Sequence, residues 1–268
     1  MRSLKTKVFC ILSVLLALST GLWGQSGDAA AIVDKSRNRI KADTISTRSR
    51  MVITAKNGST TERVIDQYSK DDASGNARTM IVFQAPATVA GTRFLTMGNS
   101  GGAAGKANDQ MIFMPSLGKV RRIAASEGSG SFMGTDLSYD DISSTSRSVD
   151  RDTHRILPEG SHNGNACYVI ESTPVDSGFA YSKMIQYIDK NNFVAWKIEL
   201  YNKRNVHVKT METVELKDVQ GRLTAMVIRM SSLQAGTFTT VNTEVIKYDD
   251  PVPEGVFTAR YLETGRPQ

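Results

Sequence analysis

The chain has 268 residues, 40% of them hydrophobic, enough for a substantial buried core, and a formal net charge of +6. Without Arg2, Lys5 and Lys7 the balance is 30 basic against 27 acidic residues, a net +3, and no basic run is interleaved with aromatics, so no nucleic-acid partner is expected. Of the two cysteines, Cys10 lies in the first apolar run and Cys167 stands alone in the remainder, which leaves no intramolecular disulfide.

In chain order, Arg2, Lys5 and Lys7 precede an apolar run over residues 8–18 and then small and polar residues, the pattern of an export signal. Residues 1–24 are therefore expected to be a signal peptide and 25–268 a single domain outside the cytoplasm, in the periplasm. The apolar run is shorter than the about twenty residues that span a bilayer. Residues 22–24 form a poor cleavage site, so an uncleaved anchor is the alternative, and Cys10 is badly placed for lipidation. Asp28 can cap a helix running to about Ile40, with Ile32, Val33, Ser36 and Ile40 near one face.

From Ser49 the period is two. Met51, Ile53 and Ala55 share a face, Asn57-Gly58 makes a turn, and residues 64–68 return as a hairpin. Strands are predicted at 79–83, 92–97 and 111–114. The glycine-rich stretch 99–108 is no phosphate loop, because its spacing is one residue short and Ala107 follows Lys106. After a polar region at 143–155, further strands are predicted at 167–172, 181–188, 193–201, 206–216, 223–230 and 238–248. Residues 254–263 read as a helix or turn that seals an end. Ten to twelve strands exceed what an open twisted sheet carries without curling, so the expected fold is mainly β, a strongly curved antiparallel sheet or incomplete barrel with a few covering helices.

Residues 115–142 depart from this pattern. Lys119, Arg121 and Arg122 come first, then small residues with Gly128, Gly130 and Gly134, then Phe132 and Met133, then Asp136, Asp140 and Asp141. The glycines allow a tight loop that brings Phe132 and Met133 against other elements. The simplest reading of the charges is that the basic and acidic runs pair with one another. Pro115, the K-x-R-R-I run and the S-F-M-G-T-D-x-S-Y-x-D segment resemble a bacterial family of outer-membrane lipoprotein-sorting proteins, similar in fold to the periplasmic lipoprotein carrier LolA. The resemblance runs from about Met51 to Leu262 and implies a half-open barrel with helices over its concave side, enclosing an apolar cavity.

Catalysis has little support. His154, His162 and His207 have no paired metal spacing, Gly128-Ser129-Gly130-Ser131 is not a nucleophile elbow, and Asp136, Asp140 and Asp141 do not match a calcium loop. No enzyme activity, catalytic residue, metal or cofactor is expected. The 11 methionines suit the walls of a site for varied apolar shapes. The expected ligand is a lipoprotein acyl chain or a lipid, held for transfer between envelope membranes by Met51, Ile53, Ile81, Phe83, Phe113, Phe132, Met133, Trp196, Met226 and Met230. Phe132 and Met133 would belong to a movable cover. Lys119, Arg121 and Arg122 would meet lipid headgroups or an acidic partner. The alternative, which the resemblance suggests, is a non-enzymatic accessory subunit docking to a membrane exporter of the resistance-nodulation-division type, or to an outer-membrane acceptor.

Overall fold

Runs of β-branched, aromatic and methionine side chains separated by Gly, Asn and Asp turns set the architecture. The computed structural model describes residues 22–98, 109–144 and 147–267. The expected signal peptide, Cys10 and the glycine-rich stretch 99–108 lie wholly or almost wholly outside the described residues. Helix α1 (Leu22–Arg37) leads into β1 (Thr44–Thr54), β2 (Thr60–Asp71), β3 (Ala77–Ala85), β4 (Arg93–Met97), β5 (Asp109–Met114) and β6 (Lys119–Arg122). A covering segment that includes the short helix α2 (Tyr139–Ser144) follows. The second run is β7 (Asp152–His162), β8 (Asn165–Pro174), β9 (Tyr181–Asp189), β10 (Ala195–Asn202), β11 (His207–Val219), β12 (Arg222–Ser232) and β13 (Thr237–Tyr248). The chain then passes through a 3-10 turn (Glu254–Phe257) into α3 (Ala259–Thr264).

All thirteen strands form one sheet in the order β6-β5-β4-β3-β2-β1-β13-β12-β11-β10-β9-β8-β7. It consists of two antiparallel meanders joined where β1 pairs with β13, from Ile45 opposite Tyr248 to Thr54 opposite Phe238. The edge strands β6 and β7 do not pair with each other, so the sheet is not closed. Both edges carry features that discourage pairing with a further strand. β6 has only four residues, three of them basic. β7 contains Pro158, and its ladder is interrupted between Leu157 and Gly160.

Strand β7 goes unpredicted from sequence. No strand is expected between the polar region ending at Arg155 and the strand at 167, yet an edge strand needs only one side of its ladder and tolerates both Pro158 and Gly160. The first helix also differs from expectation, ending at Arg37 rather than near Ile40. Its buried face is Ala29 and Val33, both 0% exposed, packed on Ile170 and Ile188 with Ile32 alongside. Polar contacts fix its end. The Arg37 guanidinium donates to Asp152 at 3.2 Å and to the Arg147 carbonyl at 2.8 Å, while Arg147 donates to the other Asp152 oxygen at 2.8 and 2.9 Å. The fully buried carboxylate thus sits between two guanidinium groups, the arrangement a buried charge needs.

Strands β3 to β5 are covered on both faces, which is why they read as nearly unbroken apolar runs. On the convex side Met80, Val82, Leu95 and Met111 pack under Val252, Val256, Phe257 and Leu262 of the C-terminal segment. Residues 254–263 are thus a turn and helix, as the sequence suggests, but they cover a face of the sheet and do not seal an end. Leu262 is 0% exposed. Replacing it with alanine is expected to cost about 2–5 kcal/mol, read as a lower urea midpoint; an unchanged midpoint would show that this cover adds nothing to stability.

Candidate functional site

The opposite, concave face is built by strand register. Cross-strand pairing places Ile81 opposite Phe94 and Phe94 opposite Ile112, while Ile65 sits opposite Phe83 and Met51 opposite Val241. Because alternate residues share a face, these side chains form one apolar surface. Residues 123–144 lie over it. Phe132 is 0% exposed, with its ring centroid 5.6 Å from Phe83, 5.1 Å from Phe94 and 5.6 Å from Tyr139. Ile123, Met133, Leu137, Tyr139 and Ile142 pack around the same cluster.

The cover has its own local fold. Ser131 and Ser138 form a β-bridge, the Phe132 N–H donates to the Leu137 carbonyl at 2.7 Å, and Met133 and Gly134 at the tip have φ of 51° and 77°. Gly128 is needed for a different reason, close approach: a Cβ there would lie 2.4 Å from Asp140 Oδ1.

The acidic run fastens this cover to the sheet. Asp136 accepts from the Thr239 hydroxyl at 2.7 Å and from the Thr237 hydroxyl, and its own N–H donates to Thr239 at 2.9 Å. Asp141 accepts from the Tyr181 hydroxyl at 2.7 Å, from Lys209 at 2.8 Å and from the Ser138 N–H at 2.7 Å. Asp140 accepts the Ala180 N–H at 2.9 Å. Burial pushes the Asp140 carboxyl above its usual range, outweighing that hydrogen bond, and the neighbouring charge of Asp141 adds to the rise. Burial, with Asp141 close by, also raises the Tyr181 phenol, so it remains a donor.

The two charge runs of the sequence therefore do not pair with each other in the way expected. Arg121 pairs with Glu127 at 2.6 Å and Arg122 with Asp109 at 3.2 Å, while Lys119 is exposed at the β5–β6 turn.

Of the expected wall residues, Met51, Ile81, Phe83 and Phe132 share one cluster with Met133 packed on it. Met230 lies in the adjoining cluster with Phe179, Tyr181, Met184 and Leu200, and Leu137 touches both clusters. Ile53 pairs with Thr239 and shares Met51's face by alternation, while Met226 falls at a ladder irregularity between Ala225 and Val227. Trp196 falls at a ladder irregularity between Ala195 and Lys197 and donates its indole N–H to Asp189 at 2.9 Å. Phe113 stands apart from the rest: it is on the convex face, beneath Arg93 and beside the C-terminal cover. The M-I-F-M run of β5 is apolar on both faces, so alternation there could not distinguish Phe113 from Ile112.

Sequence reasoning missed Phe94, Ile112, Leu137 and Tyr139 as members of this surface, and Lys209 and Tyr181 as anchors for the cover. It also missed a buried polar chain. His154 Nε2 donates to the Val149 carbonyl at 2.9 Å, which leaves Nδ1 to accept from the Ser172 hydroxyl at 2.8 Å, and Gln186 donates to the same hydroxyl at 2.7 Å. Burial lowers the His154 pKa, in keeping with a neutral ring. Ser172 is 0% exposed, so this pair serves packing between β7, β8 and β9.

A polar pocket of about 50 Å³ lies between β5, the cover and the β8–β9 loop, lined by Gln110, Gly128, Asp140, Arg147, Asp176 and Phe179 among others. Its size suits a few waters, not an acyl chain. Gln110 Oε1 and Thr96 Oγ1, a cross-strand pair nearby, have no hydrogen-bond partner among the described residues. No group of three or more His, Cys, Asp or Glu able to hold a metal occurs among the described residues.

A LolA superfamily protein from Nitrosomonas europaea superposes with a TM-score of 0.69 at 21% identity, over 87% of this chain and 99% of that one. Residues 75–264 match a family model described as uncharacterized protein, and the chain belongs to that family. A DUF1329 family protein from Desulfovibrio piger is similar at 25% identity and a TM-score of 0.83, with 89% of this chain and 99% of that one covered. A putative outer membrane lipoprotein-sorting protein domain from Vibrio parahaemolyticus has 24% identity, a TM-score of 0.82 and the same coverage. No curated protein matches the chain.

Two predictions concern the cover. Gly128→Ala forces a methyl group into Asp140 and is expected to loosen residues 128–142, seen as faster proteolysis there with the sheet intact; equal protease resistance would refute the close-approach argument. Asp140 has a folded pKa raised above its unfolded value, so its contribution to stability is fullest at acid pH and is lost as pH rises through the raised value. Asp140→Asn keeps an acceptor for Ala180. It is therefore expected to raise the melting temperature more near pH 8 than near pH 4, about the ordinary carboxyl pKa; an equal effect at both would contradict the assignment.

Proposed function

We propose that this protein is a periplasmic carrier or chaperone that holds an acyl chain of a lipoprotein or lipid against the concave face and passes it between envelope membranes. The observation that carries the reading is the covering segment. Residues 124–144 shield a continuous apolar face, yet they are tied to it by apolar packing around Phe132 and by carboxylate anchors, not by strand pairing. Such a cover can leave without breaking the sheet. The putative lipoprotein-sorting relative from Vibrio parahaemolyticus supports the same substrate class.

Magnitudes favour exchange. A chain that buries about ten methylenes gains roughly 8 kcal/mol at about 0.8 kcal/mol each. Unseating Phe132 costs about 3–5 kcal/mol, and parting Ile123, Met133, Leu137, Tyr139 and Ile142 from the same face and undoing the bonds of Asp136 and Asp141 add to it. The cover therefore competes with the ligand, as a carrier that must both load and unload requires. On this reading Met51, Ile53, Ile81, Phe83, Met226 and Met230 form the wall, and Phe132 and Met133 are the part that moves. Lys119, the one member of the basic run with no ion-pair partner among the described residues, is the best placed of the three to meet an outer-membrane acceptor or a membrane exporter.

The test is uptake of a solvatochromic fatty-acid probe, alongside native mass spectrometry of the purified protein. Phe132→Ala removes part of the cost of opening, so the variant is expected to bind the probe at least about tenfold more tightly than wild type. If neither protein takes up the probe and no lipid copurifies, the carrier reading fails.

A further inference from the structure

Three hairpin turns at one end of the sheet share a chemistry. Turns 55–59, 203–206 and 233–236 are neighbours. Thr54 pairs with Phe238, Ser232 with both Thr237 and Lys209, and the Leu233 N–H donates to the Val208 carbonyl at 2.9 Å. The Lys56 stem lies 3.6 Å from where a Cβ on Gly236 would be. Two aliphatic side chains project from these turns, Val206 at 44% exposure and Leu233 at 48%. Lys56, Lys203 and Arg204 surround them, all exposed, and the three turns contain no Asp or Glu. None of the three cations has an ion-pair partner among the described residues; Lys203 donates to the Tyr181 carbonyl at 3.2 Å. At the other end, turns 72–76 and 249–250 carry Asp72, Asp249 and Asp250, and no large exposed aliphatic occurs in the described turns there.

We propose that turns 55–59, 203–206 and 233–236 form a docking surface for an anionic lipid bilayer, with Leu233 and Val206 entering the interface and Lys56, Lys203 and Arg204 on the headgroups. Exposed aliphatics framed by unopposed cations are matched to such a surface, since hydrocarbon contact and headgroup attraction then act on the same patch. The position adds a second reason. Thr237, immediately after turn 233–236, and Thr239 hold Asp136 of the cover, and Tyr181, which accepts from Lys203, holds Asp141. A bilayer docked here lies beside the fastenings of the cover, where an acyl chain would have to pass. This last point rests on the carrier reading; the docking itself does not.

The experiment is cosedimentation of the full chain with vesicles of phosphatidylglycerol and phosphatidylcholine, compared with phosphatidylcholine alone. Binding is expected on the anionic vesicles only and should weaken as salt rises. The combined change Lys56→Glu, Lys203→Glu and Arg204→Glu is expected to reduce it by more than about tenfold. Leu233→Trp should give blue-shifted emission on anionic vesicles, a readout that does not depend on the charge variant folding. Equal binding to both vesicle types, no effect of the triple reversal in a protein with an unchanged melting temperature, or binding only to vesicles that carry envelope proteins would overturn the proposal. A protein that takes up the fatty-acid probe but ignores anionic vesicles refutes docking and leaves the carrier reading standing. Vesicle binding without probe uptake does the reverse.

Discussion

The seating of Phe132 against Phe83 and Phe94 is the contact on which the rest of the structure depends. An unclosed sheet of thirteen strands has a concave face too apolar to leave in water, and its own strands cannot fold over it. The chain solves this by diverting residues 123–144 between the two meanders and inserting one aromatic ring. Around that ring the polar groups of the cover follow a single rule, that each carboxylate meets donors from the sheet or from the β8–β9 loop. Asp136 finds threonines, Asp141 finds a tyrosine and a lysine, and Asp140 finds a backbone amide.

The three covers differ in how they are attached. The C-terminal segment is held by an apolar cluster with Leu262 at its centre. Helix α1 combines Ala29 and Val33 with the Arg37–Asp152–Arg147 arrangement, in which losing any partner would strand a buried charge. The segment over the concave face relies on a carboxylate that burial already disfavours in its charged form. It is therefore the cover whose attachment is most sensitive to its surroundings, and the one that lies over the surface proposed to receive a ligand.

Much of this was legible in the sequence because the physics is local. Period-two alternation marks most strands, Asn57-Gly58 marks its hairpin, and the unusual residues 115–142 stand out by composition. The failures have physical causes. β7 goes unpredicted because it begins in a polar region and carries Pro158 and Gly160, which an edge strand, exempt from half the ladder hydrogen bonding, tolerates. Phe113 was placed on the wrong face because β5 is apolar on both. The partners of the acidic run could not be read, since Lys209, Tyr181 and Thr239 come from strands 40 to 103 residues away. Long-range pairing is decided by the order of strands, and one sequence does not display that order.

Because β6 and β7 share no ladder, the sheet joins the two meanders like the leaves of a book at the β1–β13 spine, and the covering segment clasps them elsewhere by Asp136 and Asp141. Widening the gap between their free edges would change the twist between neighbouring strands a little at a time and sever no backbone hydrogen bond. A closed barrel has a circumference set by its strand number and stagger; this sheet has none to conserve. The distance between the two free edges is therefore not fixed by the number of strands.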